Sequence, residues 1–324
     1  MKRYLGFLIG LVTILGLGLL GWLNRYNLYD AFRLYHYKPP VAIVQLADQT
    51  TMTPRARRLF YVYHPVIENS MAFNQDCQVT EQAIVLGCTV INKGIYLYDV
   101  KDPELNGVEQ VTAAHEMLHI VYSRLSHSEL SYINNLVLTT YNQLAPSNSV
   151  LKGEYQSYLK TEGSGAVLNE LHSVLGTEIS QLPPTLENYY KQFFTNRQVI
   201  VNYASHYENL FLQRQQMVEQ DDQQLSTWQQ TIGSDESQLQ LENQQLASHL
   251  AQLNQLRSSD QVDAYNNSVA SYNQEVVTYN NLINQTKQLI NQYNNLLAVR
   301  NSIALSENKL VQSISSLPST ITAQ

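Results

Sequence analysis

Two histidines and a glutamate form the segment whose residue types and spacing are best suited to chemistry. His115, Glu116 and His119 make up the pattern His-Glu-x-x-His. Histidines four residues apart lie one helical turn apart, so both imidazoles project from one face and can bind one metal ion. A carboxylate at Glu116 would lie beside the open coordination position, where it can take a proton from an attacking water and pass it to a departing amine. The pattern predicts a zinc-dependent peptidase that hydrolyses protein or peptide amide bonds, with Glu116 as general base.

The elements around this motif are predicted from hydrophobic periodicity. Apolar residues from Val111 to Leu125 recur at helical spacing, which predicts a helix packed under a sheet. The runs 88–91 and 95–100 flank Asn92-Lys93-Gly94 and predict a β-hairpin. We expect the last strand of this hairpin to hold an extended substrate by backbone pairing.

Two further apolar runs complete the predicted domain. Residues 41–46 and 59–63 are short β-branched and aromatic stretches, and we predict both as strands. The fold class predicted for residues 41–200 is therefore α+β, with a small mixed sheet and active-site helices.

A third metal ligand is expected about fifty residues after the motif. The Gly/Ser cluster at 163–165 begins a segment of helical character in which acidic and imidazole side chains lie among apolar residues. A third ligand of a catalytic zinc site is a histidine or a carboxylate. The candidates are Glu162, Glu170, His172 and Glu178.

The two segments together resemble the gluzincin metallopeptidases of the zincin superfamily. The resemblance covers His115–His119 and Asn169-Glu170, and it implies that Glu170 completes a His, His, Glu site for Zn²⁺. Metzincins are excluded because positions 122 and 125 are Tyr and Leu, where that pattern has Gly and His. Position 174 is Val where gluzincins often carry an Asp, so no partner is assigned to orient the first histidine.

The resemblance also implies a donor to the developing oxyanion. Gluzincins usually supply a Tyr or a His for this role. The candidates here are His172, which we favour as a second catalytic residue, and Tyr155 and Tyr158.

The amino-terminal run from Tyr4 to Leu23 carries no charged residue. A helix of this length spans roughly 30 Å, the thickness of the hydrocarbon core of a bilayer. We therefore predict a cytoplasmic stub at residues 1–3, a transmembrane helix at 4–23 and a linker at 24–40, with a cleaved signal peptide as the alternative. This predicts a single-pass cell membrane protein with most of the chain extracytoplasmic.

The chain has two cysteines, Cys77 and Cys88, whose spacing matches no CxxC metal or redox pattern. In an oxidising compartment they would close a small loop and contribute roughly 3 kcal/mol to stability. Two unrelated buried thiols are the alternative. A bonded pair would agree with an extracytoplasmic location.

The carboxy-terminal third is predicted to be a long antiparallel coiled-coil hairpin. Apolar residues recur every seven positions from Phe211 to Leu253, and a second series from Val262 to Leu297 alternates threes and fours. We place the hairpin at residues 201–315 and a flexible tail at 316–324. Self-association into a homo-oligomer, or binding of a partner protein, through the hairpin is expected.

Composition narrows the function classes. The chain of 324 residues carries 20 Lys and Arg against 27 Asp and Glu, and only 15% of its residues are charged. A nucleic-acid binder that works through a basic surface is therefore excluded. The alternative to a peptidase is a non-catalytic adaptor or scaffold whose coiled coil is the working part and whose zincin-like domain binds metal without turnover.

Overall fold

A computed structural model describes residues 14–77, 84–161, 163 and 165–316 of the chain. The chain divides into two compact units. Unit 1 comprises the residues up to Asn209 together with those from Leu310 onward, and unit 2 comprises Leu210–Lys309.

Unit 1 is mainly helical and contains a small sheet. Its helices are α1 (Arg25–Leu34), α2 (Val41–Gln49), α3 (Pro54–Val62), α4 (Ser70–Cys77), α5 (Val108–Ser123), α6 (His127–Leu144), α7 (Ser149–Thr161), α8 (Val167–Thr177) and α9 (Pro184–Tyr190). Its strands are β1 (Val66–Glu68), β2 (Gly87–Val90) and β3 (Gly94–Tyr98).

The sheet is mixed and has the strand order β1-β3-β2. Strand β3 pairs in parallel with β1 and antiparallel with β2, with Cys88 opposite Tyr96. The predicted hairpin is therefore present. Both edges of β3 are occupied, so the last strand of the hairpin is not available to pair with a substrate, contrary to expectation.

Helix α5, which carries the His-Glu-x-x-His motif, lies at the centre of unit 1. It packs against α2, α3, α8, β2 and β3. Its side chains Ala113, Ala114, Met117 and Leu118 are fully buried. Gly176 of α8 lies against Leu118, where a Cβ atom would overlap the leucine side chain. Close packing of α8 on α5 therefore depends on that glycine.

The two strands predicted at 41–46 and 59–63 are wrong, because both runs are helical and belong to α2 and α3. Short apolar runs do not distinguish a strand from a buried helix by periodicity. Local capping signals favour helix in α3: Thr53 is the N-cap, its side chain accepts a hydrogen bond from the Ala56 N–H, and Pro54 occupies the first turn.

The predicted transmembrane anchor at 4–23 is corrected. Residues 1–13 lie outside the described residues. Across the described ranges, no helix has both the length and the apolar character needed to cross a membrane. The predicted single-pass membrane location, with most of the chain extracytoplasmic, is corrected with it.

Helix α1 is bound to the end of the motif helix. Asp30 is buried and accepts hydrogen bonds of 3.0 and 2.7 Å from the guanidinium of Arg124, the C-cap residue of α5. Arg33 donates to the carbonyl oxygens of Val62 and Lys93. The stretch predicted as a linker at 24–40 therefore contains a helix that packs within unit 1.

The two cysteines form a disulfide bond, which was one of the two alternatives. It joins Cys77 at the end of α4 to Cys88 in β2. The bond therefore ties β2 to the end of α4. The intervening residues 78–83 lie outside the described residues.

Unit 2 is a long helical hairpin. Helix α10 (Gln198–Ser258) and helix α11 (Val262–Ile314) supply its two arms. Polar contacts join the arms: Arg300 binds Asp222, Thr286 donates to Asp235, and His249 lies 2.9 Å from Glu275 and 2.8 Å from Ser268. The predicted antiparallel hairpin, with its break near Asp260, is therefore present.

Candidate metal centre

Three of the predicted metal ligands converge. His115 and His119 lie one turn apart on α5, and Glu170 projects from the first turn of α8. Glu170 Oε2 lies 3.3 Å from His115 Nε2, and Glu170 Oε1 lies 3.4 Å from His119 Nε2. One ligand atom from each of the three residues lies within 4.8 Å of the other two. Two imidazoles and a carboxylate in this arrangement can hold a divalent metal ion.

The electrostatics of the triad favour a charged carboxylate. Burial raises the pKa of Glu170, but its hydrogen bond to His115 and the charges of both histidines outweigh burial and lower the pKa. Burial lowers the pKa of His115, and Glu170 reverses this effect and raises the pKa to about 9. Without metal, His115 and Glu170 therefore form an ion pair. A metal cation would take the place of that proton.

Glu116 points its carboxylate into a buried environment. The residue is 5% exposed, and its Oε2 atom has no hydrogen-bond partner among the described residues. Burial raises the pKa of Glu116, while His119 and His115 oppose the shift. A buried carboxylate oxygen without a partner is costly. The electrostatic effects of His119 and His115 on this carboxyl group place it beside the triad.

Strand β2 lies directly against the turn of α5 that carries Glu116. The Thr89 hydroxyl donates to the Glu116 carbonyl oxygen at 3.1 Å. A Cβ atom on Gly87 would lie 2.5 Å from Thr112 Cγ2 and 2.9 Å from Glu116 Oε1. The absence of a side chain at Gly87 lets the strand approach the carboxylate. Sequence reasoning missed this residue, although a glycine that opens a strand is a signal of close backbone approach.

His172 is fully buried and lies outside the triad. Its Nε2 lies 3.0 Å from the Tyr189 hydroxyl, and its ring packs against Tyr122 and Tyr190. The pKa of His172 is lowered to about 3, mainly by burial and also by the charges of His119 and His115. The ring is therefore neutral. The role of His172 as a second catalytic residue stays a prediction.

The two candidate tyrosines have different surroundings. Tyr155 stacks on Tyr141, with ring centroids 4.2 Å apart. Burial raises the pKa of Tyr158, and the acidic side chains of Glu178, Glu170, Glu154 and Glu116 raise it further. The Tyr158 hydroxyl therefore stays protonated and can act as a hydrogen-bond donor.

The other candidate third ligands do not join the triad. Glu178 is not among the three converging ligand residues found in the described part of the chain, and Glu162 lies outside the described residues. Burial raises the pKa of Glu178, and the neighbouring Glu154 raises it further. Glu178 is therefore a protonated neighbour of the site rather than a converging ligand.

Comparison with known proteins assigns neither a family nor a fold to this chain. No protein-family model, no curated protein and no solved structure matches the chain.

Proposed function

We propose that the chain is a zinc-dependent peptidase that hydrolyses protein or peptide amide bonds at the triad of His115, His119 and Glu170. The observation that carries the proposal is the convergence of these three ligands next to the buried, unpartnered carboxylate oxygen of Glu116. A structural metal site has four protein ligands, whereas a catalytic zinc site has three and keeps one position open. The described ranges supply three converging ligands and no fourth, which favours catalysis, and the resemblance to gluzincins agrees with this.

Two of the distances in the triad agree with zinc. Zinc bonds of about 2.0–2.1 Å in a tetrahedron place neighbouring ligand atoms about 3.3–3.4 Å apart. His115 Nε2 and His119 Nε2 lie 3.3 and 3.4 Å from the two different oxygens of Glu170, and the set as a whole lies within 4.8 Å. Imidazole and carboxylate ligands are also those of known catalytic zinc sites.

In the proposed reaction, the chain's own residues transfer the proton and bind the substrate. Zinc bound here would polarise the scissile carbonyl and lower the pKa of a coordinated water. Glu116 takes a proton from the water that attacks the carbonyl carbon, and it returns the proton to the amine nitrogen as the carbon–nitrogen bond breaks. Strand β2 lies at one edge of the sheet and pairs with β3 alone among the described strands. Its other edge can pair with an extended peptide substrate.

Replacement of Glu116 by Gln tests the proposal. The amide keeps the size of the side chain but cannot accept the proton, so cleavage should fall by at least about 100-fold. None of the ligand atoms changes, so zinc content should equal that of the wild type. Cleavage of an unstructured protein by the full chain, with zinc content measured in parallel, checks both expectations.

Two results of the Glu116→Gln experiment would contradict the proposal. Equal cleavage by the variant and the wild type would remove Glu116 as the base. A wild type that binds zinc but cleaves no peptide would discard the peptidase and leave the non-catalytic adaptor with a metal-binding domain.

A further inference from the structure

The two histidines of the triad have the same nitrogen directed at Glu170. In both rings Nε2 faces the carboxylate, so Nδ1 is the atom on the far side. A neutral imidazole that binds metal through Nε2 carries its proton on Nδ1. The acceptor of that proton fixes the tautomer and the orientation of the ring.

Ser173 occupies the far side of His119. Its Oγ lies 3.3 Å from His119 Nδ1. The serine is fully buried, so bulk water does not compete for this contact. The neighbouring Val174 is apolar and buried and offers no hydrogen-bonding side chain.

Ser173 and Glu170 belong to the same helix, three residues apart on α8. Residues at this spacing lie on one helix face. The helix that supplies the third ligand therefore also supplies the acceptor for the second ligand. A shift of α8 relative to α5 would disturb both contacts together.

We propose that Ser173 is a positioning residue of the metal centre: its Oγ accepts the Nδ1–H of His119 and so holds Nε2 free and aimed at the metal. The inference rests on the metal centre of the proposed function but not on turnover. Partners of this kind change metal affinity by about 10- to 100-fold when they are removed.

The test compares two variants of the full chain that each remove one buried hydroxyl from α8. Ser173→Ala removes the proposed acceptor. Thr177→Val is the matched control, because Thr177 is also fully buried but donates its hydroxyl to the Ser173 carbonyl oxygen, at 2.9 Å. Each protein is stripped of metal and titrated with zinc in competition with a chromophoric chelator. Thermal unfolding of the metal-free proteins reports whether they fold.

We expect Ser173→Ala to raise the Kd for zinc about 10- to 100-fold, with little change in the metal-free melting temperature. Thr177→Val should leave the Kd unchanged. The visible spectrum of the Co²⁺-loaded Ser173→Ala variant should also differ from that of the wild type, because the geometry of one ligand changes.

The outcomes separate this inference from the proposed function. An unchanged Kd in Ser173→Ala, or an equal loss in both variants, would overturn the positioning role of Ser173. A wild type that binds no zinc would overturn the metal centre and this inference together. A wild type that binds zinc more tightly than Ser173→Ala but cleaves no peptide would support the positioning role and remove the peptidase.

Discussion

At the scale of single residues, Glu116 and Glu170 show how position decides the role of a carboxylate. Both are acidic groups of one site, but Glu170 faces two imidazoles and its pKa is lowered, whereas burial raises the pKa of Glu116. The group with the lowered pKa is suited to bind a cation, and the group with the raised pKa is the stronger base and is suited to accept a proton. The His-Glu-x-x-His spacing predicts the role of Glu116, because helical spacing fixes its position relative to His115 and His119, whereas the role of Glu170 is implied only by the resemblance to gluzincins.

The oxyanion donor gives a test at the same scale. Tyr158 lies close enough to Glu116 and Glu170 for their charges to raise its pKa, whereas Tyr155 is stacked on Tyr141. We expect Tyr158→Phe to lower kcat about 100-fold, since loss of one oxyanion donor has an effect of this size. Tyr155→Phe is the matched control and should retain activity. Full activity in Tyr158→Phe would exclude Tyr158 as the oxyanion donor and leave His172 and Tyr155 as the candidates.

Glu178 predicts a pH dependence of stability. Burial raises the pKa of its carboxyl group, and Glu154 raises it further, so the folded chain holds a proton that the unfolded chain releases above about pH 4.3. This contribution to stability is complete below the unfolded pKa and is lost as pH rises through the folded pKa. Glu178→Gln cannot release the proton, so it should raise the metal-free melting temperature at pH 8 and raise it less at pH 5.

Melting curves of the metal-free protein between pH 5 and pH 8 check the prediction for Glu178. The matched control is Glu219→Gln, which changes an exposed glutamate in unit 2. Parallel pH curves for Glu178→Gln and wild type would show that this carboxyl group does not titrate differently in the folded and unfolded chains.

At the scale of elements, strand β2 joins helix α5, which carries the His-Glu-x-x-His motif, to the rest of the sheet. It packs on α5 through Gly87 and Thr89, and the Cys77–Cys88 disulfide ties it to α4. The loop closed by this bond, with a sequence separation of 11, corresponds to about 3 kcal/mol of stability in the chain-entropy model. The position of the edge strand beside Glu116 is therefore held from both sides.

Gly87→Ala tests this packing. The added Cβ atom would lie 2.5 Å from Thr112 Cγ2 and 2.9 Å from Glu116 Oε1, so the strand or the carboxylate must move. We expect kcat/KM for a peptide to fall about 10- to 100-fold, because small displacements of a catalytic group have effects of this size. Zinc affinity should change little, since the three ligands lie on α5 and α8.

Gly153→Ala is the control for the effect of an added methyl group. Gly153 lies within α7, and nothing lies within 4 Å of the position of its added Cβ atom. That variant should keep wild-type activity and gain up to about 1 kcal/mol in stability from the higher helix propensity of alanine. Unchanged kcat/KM in Gly87→Ala would show that the strand does not position Glu116.

The elements differ in how far the sequence determines them. Helix α5 and the helical hairpin follow from long periodic patterns, and the hairpin of β2 and β3 follows from a local turn signal. The runs that form helices α2 and α3 were predicted as strands because each apolar run is short. In α3, the capping signal of Thr53-Pro54 favours a helix. The contact of Ser173 depends on the approach of α8 to α5, which no local pattern in the sequence indicates, whereas the glycine that opens β2 is a local signal of the close approach at Gly87.

At the scale of the whole molecule, the candidate metal centre and the helical hairpin belong to different compact units. All three triad residues and Glu116 belong to unit 1. Unit 2 is a hairpin whose arms are held by apolar residues such as Leu225 and Leu253 and by satisfied polar pairs. Thr286, which interrupts the apolar pattern, is buried and bonded to Asp235, so the interruption is a specific contact between the arms. Polar contacts of this kind fix the register of packed helices.

The most direct measurement is anomalous diffraction at the zinc edge from crystals of the full chain grown with zinc. We predict one strong peak in unit 1, within about 2.0–2.2 Å of His115 Nε2, His119 Nε2 and one Glu170 oxygen. The hairpin, where His249 and Glu275 supply only two ligand side chains within bonding reach of each other, should show none. Density that lies away from these three residues, or no density at all, would contradict the metal centre and with it the proposed peptidase.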